Sequence, residues 1–573
     1  MLHARITQSS TFNAPAFRGS DGALDRRDLW LCAALLLIAA VVFGKDIAVG
    51  GPREDSAARM MDGVLIYDWV AAGPSAWLDP VGFAEHQYSY YPSLGIGSAY
   101  PPGFATVEAL FFAVFGISVV TAHLCVLTFA LLTCSGLFVL MRRFTGRLEA
   151  FCVVLCLMAM PSVVYWTRQV ALEMPTLAVL IWSAVAACHY HRRPSRPRLL
   201  LWISVSLAAV MFKQTAIFVL ASYGLLLLIW TIRKRVPLGH LVVAALCSAV
   251  LIGAYCRLIS SGGASPHVFD LVLKGKSAWI MLSPSSWLTY ALWAPSQTGI
   301  WILAFSAVGI ALTLRRPDAL GGLTFLWFVS FYTMASMIQE KEPRYLFFGL
   351  AAFAVWAGIG IAWSLSPIPL PPVRAAGAAA LALAVTITAL RQPIAYRPDY
   401  GPLVLANRDL IAGRVVLFNG LRDADFIFAV RQHLGPRQCV VVRASKLLYT
   451  CAAKPEYRFQ SYVHSADDVN DRLKAFAFDS IIVERRPLLN LREERLLRES
   501  LRTSPDYALA RSQTLAAGPD VPSSDMARLD VDVYVPVRPM ERQVGNYEIA
   551  LPMDNRVISV NLSSLIADIP SPI

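Results

Sequence analysis

Apolar residues run in long unbroken blocks over the first two thirds of this chain, with charged residues clustered in the short gaps between them. The first block is 29–44. Later blocks cover about 118–141, 148–167, 174–190, 199–212, 215–232, 238–259, 292–314, 320–338, 345–365 and 374–391. Apolar runs near 20 residues predict membrane-crossing helices. Barrel strands would be shorter and would alternate, and a backbone in lipid must bond within itself. The pattern therefore predicts a polytopic α-helical membrane protein with about 11 transmembrane helices.

The stretch 199–232 tests that count, since only Lys213 and Gln214 interrupt it strongly. Basic clusters flank it on both sides, Arg192, Arg193, Arg196 and Arg198 before and Arg233, Lys234 and Arg235 after. Both ends then belong in the cytoplasm, so the stretch reads as a hairpin of two short spans. With the N-terminus inside, these clusters and Arg142, Arg143, Arg147, Arg315, Arg316 and Arg374 fall inside. They outnumber Arg168, Lys213, Lys274, Lys276, Lys341 and Arg344 in the short outer loops, as the positive-inside rule requires. No small-residue cleavage site follows the first block, so an uncleaved first span is expected. The expected organisation is a cytoplasmic N-terminus over 1–27 and a transmembrane module over 28–393 with a large outer loop at about 45–117. A C-terminal soluble α/β domain over 394–573 lies outside. In that tail 415–418, 439–442, 480–483 and 531–535 read as strands, and 425–434 and 488–501 as helices.

Composition sharpens this picture. Of 573 residues 56% are hydrophobic and 16% charged, against about 25% charged in soluble proteins. That excludes a disordered chain, a collagen-like chain and a small disulfide scaffold. The net charge of +12 is spent on topology clusters, so it argues for membrane lipid rather than nucleic acid. Of the ten cysteines eight sit in apolar runs. Cys439 and Cys451 lie in the tail, where a bridge is open to them. There is no H-E-x-x-H, no dinucleotide fingerprint and no pair of CxxC motifs, and Gly275-Lys276-Ser277 lacks the earlier glycine of a P-loop.

The candidate chemistry lies in the first outer loop and at the outer helix ends. The loop begins Gly50-Gly51-Pro52-Arg53-Glu54-Asp55-Ser56-Ala57-Ala58-Arg59. Tyr100-Pro101-Pro102-Gly103 follows, then an apolar stretch ending Phe115-Gly116 that is short for a span and reads as a helix at the membrane surface. Leu172-Glu173-Met174-Pro175 opens a later span, and Lys213-Gln214 and Lys341-Glu342-Pro343-Arg344-Tyr345 stand at outer ends.

In their order and spacing these elements resemble the GT-C membrane glycosyltransferases, over roughly residues 28–365. The protein O-mannosyltransferase-like group and the lipid A aminoarabinose transferases are the most similar. Two positions depart: Glu173 stands where the family usually has Asp, and Tyr100 where the aminoarabinose group has Lys. The resemblance implies a helical bundle whose first outer loop carries the catalytic acid. It also implies inverting transfer of a sugar from a polyprenyl-phosphate donor to an acceptor hydroxyl on a glycolipid, polysaccharide or protein. The setting would be the outer face of a cell inner membrane, with the C-terminal domain periplasmic.

The chemistry of such a transfer points to the same residues. The attacking hydroxyl needs a base, and Asp55 is acidic, near the first span and outside. The departing phosphate needs cations, and Arg59, Lys213, Lys341 and Arg344 share that side. Tyr100 and Tyr345 complete the candidate substrate-binding set through the motifs they occupy. Asp55 and Glu173, the candidate catalytic acids, are also candidates for holding a divalent cation, although two carboxylates alone do not make an oxygen-rich site.

Each candidate has an alternative reading. Asp55 suits a helix cap, and Glu173 a first-turn helix acid. Lys213 suits a hairpin turn, and Lys341 and Arg344 snorkelling at the interface. Glu54, Lys274 and Lys276 read as solvated charges, His123 as a packed histidine, and Trp279, Trp287 and Trp293 as an interfacial belt. A multi-pass transporter or flippase is the second function class. It would place ionisable groups in mid-membrane and often repeats its halves, whereas here the polar residues gather at helix ends and no repeat is visible. A non-catalytic assembly or sensor protein working through 394–573 is the third.

Overall fold

The structure, a computed structural model, describes residues 24–52, 55–93, 100–261, 283–315, 319–338, 341–368, 370–392, 397–420, 422–450, 459–486, 491–516, 528–551 and 556–569. Lys274, Lys276, Trp279, Glu54 and Cys451 lie outside these residues. The chain forms two compact units. One comprises residues up to 45, 126–255 and 267–393, and the other 46–125, 256–266 and 394–573.

The first unit is helical, and helices occupy every apolar block of the sequence. Among the described residues, five are long and apolar enough to cross a membrane. They are Val119–Arg142, Gln214–Ile232, Ala319–Met337, Pro343–Leu365 and Pro372–Arg391. Counting two bent pairs as single spans raises this to seven, short of the eleven expected. The bends are local effects that hydropathy does not report. Block 148–167 breaks into Arg147–Ala159 and Pro161–Thr167 at 68°, where Pro161 has no N–H to continue the ladder. Block 292–314, expected to be one span, covers the last turns of Pro284–Thr298 and nearly all of Ile300–Arg315. These meet at 116° across Gly299, whose φ is +84°. Stretch 199–232 does break at Lys213, which is extended between Arg196–Phe212 and a turn of 3-10 helix at Gln214–Ala216.

Buried charge marks where these helices end. Asp28, inside the capping box that opens Arg26–Phe43, accepts from the guanidiniums of Arg142 and Arg147. At the other end of that helix Arg168 donates twice to the Val42 carbonyl and once to that of Ala389, while Lys45 donates to Leu390. The last carbonyls of a helix have no intrahelical partner, so these cations satisfy acceptors that lipid would leave bare. The interior is packed helix on helix. Gly309 lets Ile300–Arg315 approach Leu350–Leu365 so closely that a Cβ there would lie 1.9 Å from the Trp356 carbonyl oxygen.

In the second unit a five-stranded sheet has the order β2-β1-β3-β5-β4. Strands β1 (Val415–Asn419), β2 (Val440–Arg443) and β3 (Ser480–Glu484) are parallel, and β5 (Arg528–Pro536) and β4 (Tyr507–Ala516) complete it antiparallel. Every residue of β1 and β3 is buried, as expected of parallel strands covered on both faces. Strands β6 (Asn546–Leu551) and β7 (Arg556–Asn561) pair separately. The expected α/β domain is present, with helices Asp423–Leu434 and Arg492–Thr503 near their expected places. The sequence reading missed Ala466–Phe476 and β4. Strand β4 is mostly exposed, so its side chains show little alternation of character. Cys439 is a buried free thiol just before β2. The first outer loop folds with this domain. It contains helices Ser56–Ala72, Pro74–Leu78, Pro80–Tyr90 and Gly103–Phe115, the last too short to span by itself.

The Gly309 contact is directly testable. Gly309→Val should destabilise the helical unit by about 1–3 kcal/mol or more, because a backbone carbonyl cannot yield as a side chain can. A drop in the thermal midpoint of detergent-solubilised protein is the expected outcome, and an unchanged midpoint would contradict the packing described.

Candidate functional site

In the second unit the outer loop brings several candidates together. Asp55 is the N-cap residue of Ser56–Ala72, and its side chain makes no capping bond. The backbone carbonyl of Asp55 accepts the Arg59 N–H at 3.2 Å. One turn in, Arg59 donates Nη1 to Asp62 Oδ2 at 3.0 Å, and its guanidinium carbon lies 3.6 Å from the centre of the Tyr100 ring. Positions 55, 59 and 62 follow the helical repeat and share one face. The stack on Tyr100 is a cation–π contact that fixes the plane of the guanidinium. Arg59 and Tyr100, two expected substrate-binding residues, are thus brought into contact.

The sequence reading missed the third member of this group. Glu108, in the middle of Gly103–Phe115, is fully buried against Ser56–Ala72. Gly63 makes room for it, since a Cβ there would lie 2.4 Å from Glu108 Oε2. Neither Glu108 oxygen has a hydrogen-bond partner among the described residues. Burial pushes this carboxyl well above the usual range, the Asp62 charge pushes it further, and Arg59 opposes both without prevailing. One arginine facing two carboxyls leaves one of them protonated, and the geometry assigns the proton to Glu108. The available signal was a lone acid in an otherwise apolar run of 13 residues.

The first unit brings together another expected pair. Glu173 opens the helix Glu173–Arg192, and Lys213 stands at the break between two helices. Their side chains form a buried ion pair, Nζ to Oε1 at 2.5 Å. The extended backbone at Lys213 frees it from either helix and lets it reach, and its Nζ also lies 5.8 Å from the Phe348 ring centre. Pro175 sits in the first turn of the Glu173 helix, where its missing N–H is not needed.

Lys341, an expected substrate-binding residue, is engaged at a helix end. It donates to the carbonyls of Ala335, Ser336 and Ile338 at 3.2, 2.7 and 2.6 Å, closing the C-terminal end of Ala319–Met337. Three donors meet three carbonyls, and burial lowers the pKa of this ammonium. Arg344 pairs with Glu342, and its guanidinium lies 6.0 Å from the ring of Tyr345, which is buried in the turn Pro343–Gly349. His123 directs Nδ1 to the Val119 carbonyl within its own helix. Among the described residues no group of three His, Cys, Asp or Glu side chains is placed to hold a metal ion.

With this geometry in hand, comparison with known proteins gives a consistent result. Residues 99–253 match the family model of dolichyl-phosphate-mannose-protein mannosyltransferases. The fold is similar to that of ArnT from Cupriavidus metallidurans bound to undecaprenyl phosphate, at TM-score 0.59 and 15% identity over 88% of this chain and 97% of that one. Its apo form gives 0.58 and 14% over the same shares. The apo oligosaccharyltransferase of Archaeoglobus fulgidus gives 0.50 and 11%, covering 80% of this chain and 69% of that one. No curated protein matches the sequence. The family match is confined to residues 99–253, and the likeness to the solved structures is one of fold.

Two measurements test the site as described. In the window between the ordinary carboxylate range and the raised value, folded Glu108 holds a proton that the unfolded chain has released. Its contribution to stability therefore falls as pH rises through that window. Glu108→Gln should remove this slope, so that the variant gains on the native protein with rising pH in thermal unfolding. Parallel curves would show that Glu108 is ionised. For the buried pair, Lys213→Met alone should cost about 3–5 kcal/mol by stranding Glu173, and Glu173→Leu added to it should recover most of that. Equal loss in the single and double variants would contradict the pairing.

Proposed function

We propose that this protein is an inverting glycosyltransferase that moves a sugar from a polyprenyl-phosphate-linked donor to an acceptor hydroxyl at the outer face of a cell inner membrane. The observation that carries the proposal is the mannosyltransferase family match over 99–253 within a chain whose fold is similar to ArnT along most of its length. The matched segment contains Tyr100 and Glu108 of the second unit and Glu173 and Lys213 of the first. The ArnT structure with undecaprenyl phosphate supports a donor of that chemistry. In this reading the chain crosses the membrane eleven times, with the N-terminus in the cytoplasm and residues 394–573 in the periplasm. The acceptor is a glycolipid, a polysaccharide or a protein.

Each residue then has a role. Asp55 takes the proton of the acceptor hydroxyl as its oxygen attacks the anomeric carbon. The bond from that carbon to the phosphate oxygen breaks, and the departing polyprenyl phosphate gains charge. Arg59, held flat against Tyr100, offers its remaining donors to the donor phosphate. Glu173 holds Lys213 as a cation oriented in advance. Arg344 and Tyr345 bind the donor, and Lys341 keeps their turn in place by closing the preceding helix.

Asp55→Asn should lower transfer by about 10²-fold or more while expression and membrane insertion stay normal. The assay is transfer from a polyprenyl-phosphate sugar in membranes, and full retained activity would remove the proposed base. Comparative glycan and lipid analysis of a strain lacking the protein should show an intermediate one sugar short. A periplasm-active reporter fused after residue 573 should be active, and a silent one contradicts the odd span count.

A further inference from the structure

The outer loop is held by residues of the C-terminal domain at both ends of the segment that carries Asp55. Before Asp55, the Gly51 N–H donates to the Arg397 carbonyl at 2.9 Å. The approach is so close that a Cβ at Gly51 would lie 2.4 Å from the Pro398 carbonyl oxygen. After Asp55, Asp68 on the same helix meets Arg431 of Asp423–Leu434 in a two-point ion pair. Nε bonds Oδ2 at 3.2 Å and Nη2 bonds Oδ1 at 2.5 Å, with side chains only 6% and 9% exposed. Asp55, Arg59 and Asp62 lie between these two anchors.

The other arm of the loop, which leads to Tyr100, is held in the same way. The Tyr90 hydroxyl donates to the Leu565 carbonyl at 3.1 Å. The Tyr91 hydroxyl donates to the Gly435 carbonyl at 2.9 Å and accepts the Gln438 N–H at 3.3 Å. Arg443, itself paired with Asp423, donates to the Pro92 carbonyl at 3.0 Å. The Arg59–Tyr100 stack then joins the two arms. These anchors are buried or half-buried polar groups whose partners come from hundreds of residues away. Each such bond is lost as a whole if the loop shifts, and a buried charge stranded by the shift is strongly unfavourable.

We propose that the C-terminal domain is a clasp that sets where Asp55, Arg59 and Tyr100 stand, with Arg431 and Asp68 as its principal positioning residues. The proposal rests on Asp55 being the base. Its consequence is a division of kinetic labour. The clasp touches no reacting atom, so loosening it leaves the donor bound and misplaces the base, which lowers turnover more than affinity. A displacement of about 1 Å at a reacting group is enough to cost about 10²-fold in rate.

The test uses the full-length protein in detergent or native membranes, with Arg431→Ala, Asp68→Ala, the reversed pair Asp68→Arg/Arg431→Asp, and Gly51→Ala at the opposite anchor. Amide hydrogen exchange across residues 56–72 is read beside transfer kinetics. The single variants should exchange faster in that helix and lose about ten-fold or more in kcat, with donor KM within about three-fold. The reversed pair should recover a substantial part of both. Unchanged exchange in Arg431→Ala and Gly51→Ala overturns the clasp, and so does faster exchange with native kcat. If Arg431→Ala does not fold, Gly51→Ala decides alone. If Asp55→Asn retains transfer, the base assignment fails separately, and hydrogen exchange still reports on the clasp.

Discussion

Nearly every informative feature of this molecule follows from one constraint. A charge removed from water must be met by an opposite charge or by bare polar backbone, or it must be given up. Asp28 is met by Arg142 and Arg147, and Glu173 by Lys213. Arg168 and Lys341 are met by carbonyls at helix ends. Asp68 is met by Arg431. Glu108, with no partner among the described residues, is driven toward its neutral form. In a chain so rich in apolar residues these few places supply the directional contacts that hydrophobic packing lacks. They decide which helix ends stand together.

The same constraint separates structural cations from those available for chemistry. Lys341 and Arg168 direct their donors to carbonyls at helix ends. Arg59 gives one nitrogen to Asp62 and lays its flat face on Tyr100, an arrangement that orients the guanidinium without surrounding it. Lys213 is held by one carboxylate oxygen beside an aromatic ring. A transferase acting on a lipid-linked phosphate needs positive charge that is oriented in advance but not consumed. Under the proposed function, Arg59 and Lys213 meet that requirement better than Lys341, although all three look alike as basic residues near helix ends.

The C-terminal domain gains a purpose from this arrangement. Its sheet is an ordinary half-parallel α/β core, and its contacts with the outer loop are the unusual part. They join residues separated by most of the sequence through buried ion pairs and tyrosine hydroxyls. Such contacts are directional, so they hold a loop in one place where an apolar contact would allow sliding.

The sequence by itself determined the helical membrane class, the break at Lys213, and the strands at 415–418 and 480–483. Those features are local. They depend on hydropathy, on flanking charge and on runs of β-branched residues, and each is written within a short window. It also singled out Asp55, Arg59, Tyr100, Glu173 and Lys213, because ionic and aromatic residues beside apolar blocks are conspicuous. Only the tertiary structure decided the rest. The sharp bends at Met160 and Gly299 arise from backbone geometry that hydropathy averages away. The pairing of Glu173 with Lys213 and of Asp68 with Arg431, the closure of a helix by Lys341, and the packing of Glu108 against Gly63 each join positions with no sequence-level link. Which buried charge meets which partner is a property of distance in space, and a linear pattern carries no record of it.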